Sequence, residues 1–281
     1  MKNILITGAN SYIGTCLEKH LSNSKEYNIS VLDMKKATWN TANFSNYDCI
    51  IHVAGIAHIK ETRKNAHLYY NINRDLTFKT AQKAKLEGVK QFIFLSSMSV
   101  FGMLTGKITP NTTPKPNTHY GKSKLQAEKM ISALQNDHFK VSIIRPPMVY
   151  GKNCKGNFPA MVKLVNKLPI FPYVKNKRSM IYIDNLCEFI KLCIDKQAHG
   201  TFHPQDKEYI NTTIMAQKIA DMYSKRLWIS RLAGFMIAIF RPIVPTFKKA
   251  FGTLIYENME RFNYSYCIED NGISKSLSIT N

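Results

Sequence analysis

The feature that most constrains this chain is a short apolar strand that leads directly into a glycine turn and a helix. Residues 3–8 read Asn-Ile-Leu-Ile-Thr-Gly, and the helical spacing of Ile13, Leu17 and Leu21 follows at 12–23. A glycine at the end of the strand permits a tight turn, and the helix N-terminus offers N–H groups and a partial positive charge to an anion. The pattern predicts a strand–turn–helix unit that holds a pyrophosphate.

Strand and helix patterns alternate as far as about residue 150. Apolar runs at 30–33, 50–54, 91–96 and 141–145 are separated by helical patterns at 68–87 and 120–135. This alternation predicts an α/β fold, a Rossmann-type doubly wound parallel sheet with right-handed crossovers. We expect the sheet to occupy a domain at 1–151. A smaller, interwoven C-terminal lobe is expected at 152–281, with a helix near 185–195 returning to the first domain.

Composition narrows the class of protein. The formal net charge is +20, which predicts attraction to anions, and a hydrophobic content of 44% excludes wholesale disorder. Because the chain has no zinc-finger or RNP-type signature, we expect no nucleic-acid partner.

Six scattered cysteines without a CxxC pair predict reduced thiols, no metal site and a cytoplasmic location. The chain lacks a signal-peptide pattern at its start, and its longest apolar run, 232–240, is too short to span a bilayer.

The end of the second strand bears on which dinucleotide is bound. Asp33 lies 19 residues beyond Gly14, where a carboxylate accepts hydrogen bonds from the adenosine ribose. The same carboxylate would repel a 2′-phosphate, so the sequence favours NAD. Lys35 and Lys36 could reach a 2′-phosphate, which keeps NADP as an alternative.

Three polar residues form a candidate catalytic group. Tyr120 and Lys124 lie four residues apart and therefore share one face of a helix. A phenol with a pKa near ~10 is a poor base at neutral pH, and a neighbouring ammonium favours its phenolate. Tyr120 could then take a proton from a substrate hydroxyl while a hydride leaves the same carbon. Ser97, at a strand end, would hold the substrate oxygen.

Together with these features, a set of motifs resembles the extended short-chain dehydrogenase/reductase family, in its nucleotide-sugar epimerase/dehydratase group. The resemblance covers about residues 3–225, and its motifs lie at 7–14, 52–55, 96–102, 120–124, 145–151 and 178–186, with Asn73 between the second and third. It implies that the C-terminal lobe binds a nucleotide-diphosphate sugar, expected to be UDP-linked.

The resemblance also implies roles for individual residues. Tyr120, Lys124 and Ser97 correspond to the catalytic residues. The implied cofactor contacts are Gly8, Asn10, Ser11, Tyr12, Ile13, Gly14, Asp33, Ala54, Gly55, Asn73, Tyr120, Lys124 and Pro147. The implied substrate contacts are Ser97, Ser99, Asn157 and Arg178, of which Asn157 and Arg178 would meet the diphosphate.

Two departures from the family pattern qualify these roles. Ser11 stands where the family usually has its middle glycine, and we expect its side chain to crowd the pyrophosphate unless the loop shifts. The segment from Met34 to Tyr47 is too short for the usual strand whose following acid contacts adenine. No adenine-contacting residue is therefore assigned.

Several reactions are consistent with the resemblance. Dehydratases of the group carry an Asp-Glu pair where this chain has Met98 and Ser99, so dehydration is not expected. The favoured hypothesis is an NAD-dependent UDP-hexose 4-epimerase that oxidises C4 transiently by hydride transfer. An NAD(P)H-dependent 4-keto reductase for surface-polysaccharide precursors is an alternative, because 52–58 and 176–186 resemble that branch. A non-catalytic dinucleotide-binding regulator is a second alternative.

The segment 226–256 combines apolar and basic residues, with arginines and lysines on both sides of the run 232–240. This composition is compatible with peripheral contact to an anionic membrane. It is also compatible with a core or dimer helix that has basic edges, which is the favoured interpretation. The family resemblance implies a homodimer, formed through a helix pair that includes the helix bearing Tyr120.

Overall fold

The structure is a computed structural model that describes residues 1–57, 59 and 61–259. The strands are β1 Lys2–Thr7, β2 Tyr27–Leu32, β3 Cys49–His52, β4 Gln91–Leu95, β5 Gly106–Ile108, β6 Lys140–Ile144, β7 Met148–Tyr150, β8 Ile170–Pro172, β9 Met180–Tyr182, β10 Gly200–Phe202, β11 Trp228–Ser230 and β12 Leu254–Tyr256. The helices are α1 Tyr12–Ser22, α2 Ala66–Tyr69, α3 Thr77–Leu86, α4 His119–Ser132, α5 Asn157–Lys167, α6 Ile183–Asp195, α7 Thr212–Met222, α8 Arg231–Phe240 and α9 Pro245–Phe251.

The first of two compact units comprises Met1–Gly102, Thr113–Pro146 and Leu186–Pro204. Its six strands form one sheet in the order β10-β6-β4-β3-β1-β2, and all five pairings are parallel. The predicted doubly wound α/β fold is confirmed. The strand order reverses between β1 and β3, and ligands of such sheets bind beyond the carboxyl ends of the strands at that point.

The inner strands read as near-continuous apolar runs because both of their faces are covered. Every residue of β3 and β4 is buried. Leu5, Ile50, Phe92 and Ile143 from four neighbouring strands belong to one core cluster. A parallel sheet covered on both sides requires apolar residues at nearly every position of its strands, which is why these strands can be recognised in the sequence.

Two parts of the first unit differ in detail from the predicted elements. The segment after β2 contains a 3₁₀ turn, Ala37–Asn40, and no strand before β3, in agreement with its short length. The predicted helix at 68–87 is divided into α2 and α3 by a π-helical stretch at Tyr70–Leu76. Such π turns often occur at functional sites.

The second unit consists of Met103–Thr112, Pro147–Asn185 and the described residues from Gln205 onward. Within the described residues, its strands form three parallel pairs, β5 with β12, β7 with β9 and β8 with β11. Residues 103–112 belong here because β5 pairs with β12. The division of the chain therefore differs from a single boundary at 151. Helix α6 belongs to the first unit from Leu186 onward.

A buried carboxylate organises part of the second unit. The Tyr182 and Asn185 N–H groups and the Tyr150 hydroxyl donate to Asp206 at 2.7–3.2 Å. Burial raises the pKa of Asp206, and its three donors oppose that shift. The contacts join β7, β9 and the start of α6 at one satisfied polar centre.

Over the described part of the chain, no helix is both long and apolar enough to cross a membrane. Five cysteines, Cys16, Cys49, Cys154, Cys187 and Cys193, are free thiols, and Cys267 lies outside the described residues.

Candidate active site

The glycine turn joins β1 to α1 at the point where the strand order reverses. Gly8 has φ +101°, and a Cβ atom there would lie 2.8 Å from the Ala54 backbone nitrogen. Only glycine satisfies both the backbone conformation and this close approach. The ends of β1 and β3 can therefore meet directly beneath the turn, which places Gly8, Ala54 and Gly55 at one edge of the sheet.

The structure shows how Ser11 is accommodated. Ser11 is the N-cap of α1, with φ −78°, and its Oγ accepts a hydrogen bond from the Gly14 N–H at 3.2 Å. Asn10 takes the left-handed conformation that the turn requires, with φ 61°. The Ser11 hydroxyl thus turns back onto its own helix. The hydroxyl thereby satisfies one of the free N–H groups at the start of the helix, and the predicted crowding of a pyrophosphate by Ser11 stays a prediction.

Asp33 lies beside the same turn. It directly follows β2, and the Gly8 and Ala9 N–H groups donate to the carbonyl of Leu32 at 2.9 and 3.2 Å. One carboxylate oxygen of Asp33 accepts a hydrogen bond from the Lys35 N–H at 3.0 Å. The acidic side chain is therefore held next to the glycine turn, where the sequence predicts a ribose.

Asn73 supports the neighbouring strand end from the π-helical stretch. Its Oδ1 accepts from the Ile56 N–H at 2.8 Å, and its Nδ2 donates to the Ile56 carbonyl at 3.1 Å. Nδ2 also donates to the Ser123 hydroxyl of α4 at 3.3 Å. Asn73 is fully buried. These contacts link the loop at Ala54–Ile56 to the helix that carries the candidate catalytic residues.

Ser97, Tyr120 and Lys124 lie together at the carboxyl end of β4. The hydroxyls of Ser97 and Tyr120 share a hydrogen bond. The buried Lys124 Nζ donates to the Leu95 carbonyl at 2.7 Å and lies 4.5 Å from the centroid of the Phe94 ring. A Cβ atom on Gly55 would be 3.4 Å from Lys124 Nζ, so the ammonium adjoins the end of β3. The structure thus assembles the three predicted side chains.

The ionisation of these groups follows from their burial. Burial raises the pKa of Tyr120, and the Ser97 hydrogen bond opposes that shift. Burial lowers the pKa of Lys124 to about 7, while the charge of Glu128 opposes the shift. The sequence-based prediction of a lowered Tyr120 pKa is therefore wrong for these side chains alone, because burial of the phenol outweighs the Ser97 hydrogen bond.

Glu61 is a site residue that the sequence did not indicate. Its two carboxylate oxygens accept hydrogen bonds from the backbone N–H groups of His119 and Tyr120, each at 2.9 Å. Thr118 caps the same helix by accepting from the Gly121 N–H at 3.0 Å. A carboxylate at the positive end of a helix is favourable. Glu61 therefore fixes the backbone that carries the Tyr120 ring.

Glu128 is a second residue missed in the sequence. It lies one turn beyond Lys124, and its carboxylate accepts from Arg145 Nη2 at 2.6 Å and Nε at 3.1 Å. The Ser96 hydroxyl also donates to it. This buried, bidentate pair fastens α4 to the ends of β4 and β6. The spacing of Tyr120, Lys124 and Glu128 at intervals of four could have indicated it.

The remaining predicted contacts divide between the two units. Ser99 is exposed in the first unit, and its hydroxyl oxygen lies 3.1 Å from that of Ser97, within hydrogen-bond distance. Pro147, Asn157 and Arg178 lie in the second unit. Asn157 is exposed at the start of α5, whereas the Arg178 guanidinium donates to the Gly252 carbonyl at 2.9 Å. Burial lowers the pKa of Arg178.

The donor set of the first unit fits a dinucleotide. A tight glycine turn leads to a helix N-terminus, an acid follows the neighbouring strand, and a buried lysine adjoins the next strand end. This arrangement suits a pyrophosphate, an adenosine ribose and a nicotinamide ribose in that order. Among the described residues, no group of three or more His, Cys, Asp or Glu could hold a metal ion.

Comparison with known proteins agrees with this geometry. Residues 4–203 match the model of the NAD dependent epimerase/dehydratase family. A UDP-glucose 4-epimerase of Vibrio cholerae is 34% identical over 81% of this chain and 77% of its own length. An N-acetyl-alpha-D-glucosaminyl-diphospho-ditrans,octacis-undecaprenol 4-epimerase of Escherichia coli is 26% identical over 80% of this chain and 73% of its own length.

A solved structure shows the same fold. The UDP-glucuronic acid 4-epimerase of Bacillus cereus, in complex with NAD, superposes with a TM-score of 0.69 at 19% identity, covering 88% of this chain and 96% of that one. The sequence resemblance stated above is confirmed. The chain belongs to the NAD-dependent epimerase/dehydratase family and is an NAD-dependent enzyme.

Proposed function

We propose that this enzyme is a nucleotide-sugar 4-epimerase that acts on UDP-hexoses with NAD as its cofactor. The observation that carries the proposal is the assembly of Ser97, Tyr120 and Lys124 beside the glycine turn. The 34% identity to a UDP-glucose 4-epimerase supports the choice of reaction.

The chemistry assigned to the side chains is proton transfer. Tyr120 Oη removes the proton of the sugar 4-hydroxyl and later returns it, and Ser97 holds the same oxygen by a hydrogen bond. Lys124 holds the nicotinamide ribose and keeps a cation near the phenol. NAD bound beside these residues would supply the hydride acceptor and donor for C4, and the 4-keto sugar would have to turn over between the two transfers for the configuration to invert. Because the cofactor is regenerated in each turnover, tight retention suits this reaction.

Other reactions of the family are less well supported. Met98 is buried and Ser99 carries no carboxylate, so the position after Ser97 has no acid–base pair for eliminating water. The 4-keto reductase and the regulator are not favoured, because the relatives described above are 4-epimerases and the chain keeps both Tyr120 and Lys124.

The substrate diphosphate is assigned to the second unit as part of the same proposal. Arg178 brings a guanidinium that suits an oxygen-rich dianion, and Asn157 brings an amide at the start of α5. Ser99 and Ser97 would contact the sugar from the first unit. Pro147 is proposed as a contact of the nicotinamide end of the cofactor.

A second candidate substrate is a sugar linked through a diphosphate to a lipid. The Escherichia coli relative carries such a substrate in its name. The specific observation that favours it here is the exposure of the large apolar side chains of Leu232, Phe235 and Ile243, beside several cations. An enzyme that is inactive on UDP-hexoses and active on a polyprenyl-diphosphate sugar would select this candidate.

We also propose a homodimer formed through α4, the helix that bears Tyr120, and a cytoplasmic location. The family resemblance supports the first, and the five free thiols support the second. Light scattering of the purified protein tests the dimer. A mass equal to one chain at micromolar concentration would contradict it.

The first experiment is to measure the NAD content of the purified protein and then its epimerisation of UDP-galactose to UDP-glucose. We expect stoichiometric NAD that survives gel filtration, and equilibration of the two sugars without added cofactor. A protein that is free of NAD and turns over only a 4-keto sugar with NADH or NADPH would contradict the proposal and indicate a reductase.

A further inference from the structure

In the second unit, helix α8 exposes its large apolar side chains and buries a glycine. An ordinary surface helix does the opposite and buries its apolar side chains. On α8 the buried residue is Gly234, and a Cβ atom there would lie 2.1 Å from the Tyr173 carbonyl oxygen. The opposite side carries Leu232, Phe235 and Ile239, which are 74%, 63% and 48% exposed. These three residues are spaced by three and four positions, so they project from one side of the helix.

Further large apolar side chains are exposed near α8. Ile243, just after the helix, is 76% exposed, and Met236 is exposed on the same side. Ile170 and Trp228 are exposed at a register pair of the β8–β11 ladder, which packs near α8. A soluble surface rarely groups so many large apolar side chains unless something covers them.

The charges around this apolar face indicate what kind of partner covers it. Between Asp221 and Glu257 the chain has no acidic residue and six cations, Lys225, Arg226, Arg231, Arg241, Lys248 and Lys249. The Arg226 guanidinium lies 5.1 Å from the ring centroid of the exposed Trp228. An apolar strip bordered by cations, with an arginine on a tryptophan, matches a membrane surface, where lipid tails meet anionic headgroups.

A basic cavity adjoins the end of this apolar face. Its volume is about 380 Å³, and it is lined by Lys175, Arg241 and Lys248 together with Thr105, Pro242 and Thr253. Arg241 directly follows α8, so the apolar helix leads into this cluster of cations. Ammonium, guanidinium and hydroxyl groups are the donors that a phosphate oxygen takes.

We infer that this face of the second unit docks on an anionic lipid bilayer, with α8 lying in the interface and the basic cavity receiving a lipid phosphate. The core interpretation of 226–256 does not hold for α8, because its large apolar side chains are exposed. The docking is independent of the proposed reaction, since no α8 residue belongs to the catalytic cluster.

The test is co-sedimentation of the full chain with vesicles of phosphatidylglycerol and phosphatidylcholine, compared with vesicles of phosphatidylcholine alone. We expect binding to the anionic vesicles that weakens as salt is raised, and little binding to the neutral ones. Absence of binding to anionic vesicles at low ionic strength would overturn the inference. Equal binding to both vesicle types at every salt concentration would overturn the assignment to anionic lipid.

Matched variants locate the contact. Leu232→Gln should weaken vesicle binding about tenfold, whereas Leu86→Gln, at an equally exposed leucine of α3, should not. Lys249→Gln should weaken it about fivefold, and Lys25→Gln, an exposed lysine of the first unit, should leave it unchanged. Equal losses within either pair would contradict a defined docking face.

Two further measurements distinguish the other outcomes. All four variants should retain NAD and activity on a water-soluble substrate without vesicles, which separates lost docking from lost folding and from failure of the proposed function. Light scattering of Leu232→Gln tests a second copy of the chain as the covering partner. If this variant dissociates a dimer and the unaltered protein does not bind anionic vesicles, the face is a dimer interface and the membrane inference is wrong.

Discussion

Helices α4 and α8 differ in which residues they bury and which they expose. On α4, the buried positions include Ser123, Lys124 and Glu128, and each has a hydrogen-bond partner in the first unit. On α8, the buried position is a glycine, and large apolar side chains face outward. A surface helix usually buries apolar side chains; α4 buries these three polar residues in addition to apolar ones, and α8 leaves its apolar side chains exposed. On α4 the departure builds a catalytic site within the unit, whereas on α8 it exposes a surface for a partner.

The largest expected effect tests the α4 side of this comparison. Tyr120→Phe removes the proton-transfer hydroxyl and should lower kcat by about 10²- to 10⁴-fold while NAD content is unchanged. The measurement is epimerisation under saturating substrate. Tyr69→Phe is the control, because Tyr69 packs edge-on against Tyr120 at 6.4 Å but has no assigned proton transfer. A comparable loss in both variants would mean that the effect is not specific to the Tyr120 hydroxyl and would contradict its role in proton transfer.

The buried ion pair on α4 should matter for stability. Glu128→Gln leaves the Arg145 guanidinium without its charged partner in a site where both side chains are largely buried. We expect a decrease of about 3 kcal/mol in the free energy of unfolding, measured by urea denaturation. Asp137→Asn is the control, since that carboxylate is fully exposed and should have no measurable effect. An unchanged Glu128→Gln midpoint would contradict the view that this pair anchors α4.

Gly234→Ala tests the α8 side. Alanine is the better helix former by about 1 kcal/mol, but its Cβ would overlap the Tyr173 carbonyl. We expect the cost of the steric overlap to exceed the gain in helix propensity, so that the free energy of unfolding falls by about 1–3 kcal/mol. Phe235→Ala, on the exposed face of the same helix, should change stability by less than about 0.5 kcal/mol. The reverse ranking would mean that α8 packs through its apolar face.

The last expected effect concerns pH. The pKa of Lys124 is lowered to about 7 in the folded protein, from an ordinary value of 10.5. Between these two values the unfolded chain binds more protons at this residue, so its contribution to stability rises with pH across that window. The free energy of unfolding is measured without bound NAD for the unaltered protein and for Lys124→Met. The difference between the two, unaltered minus variant, should therefore increase from pH 7 to pH 10. A constant difference would show that Lys124 stays protonated in the fold.

The sequence was most informative where physical constraints are local. The glycine turn, the apolar strands and the pairing of Tyr120 with Lys124 are each contained within a few residues, and they predicted the sheet and the candidate site. Glu61 could not be found in this way, because it lies far along the chain from the helix that it caps. The exposure of α8 could not be predicted either, because the same apolar run is expected of a helix that is buried and of one that exposes its apolar side chains.

The pairing of β5 with β12 has a consequence for biosynthesis. Gly106 pairs with Leu254, so β5 leaves the ribosome about 150 residues before its partner strand is made. At the usual 5–20 residues per second this interval is roughly 7–30 s. Throughout that time the segment Gly106–Ile108 lacks its native partner strand, and its backbone N–H and C=O groups can pair with other chains. A stalled or truncated product that ends before Leu254 would keep this edge and should be a preferred target for chaperones and proteases.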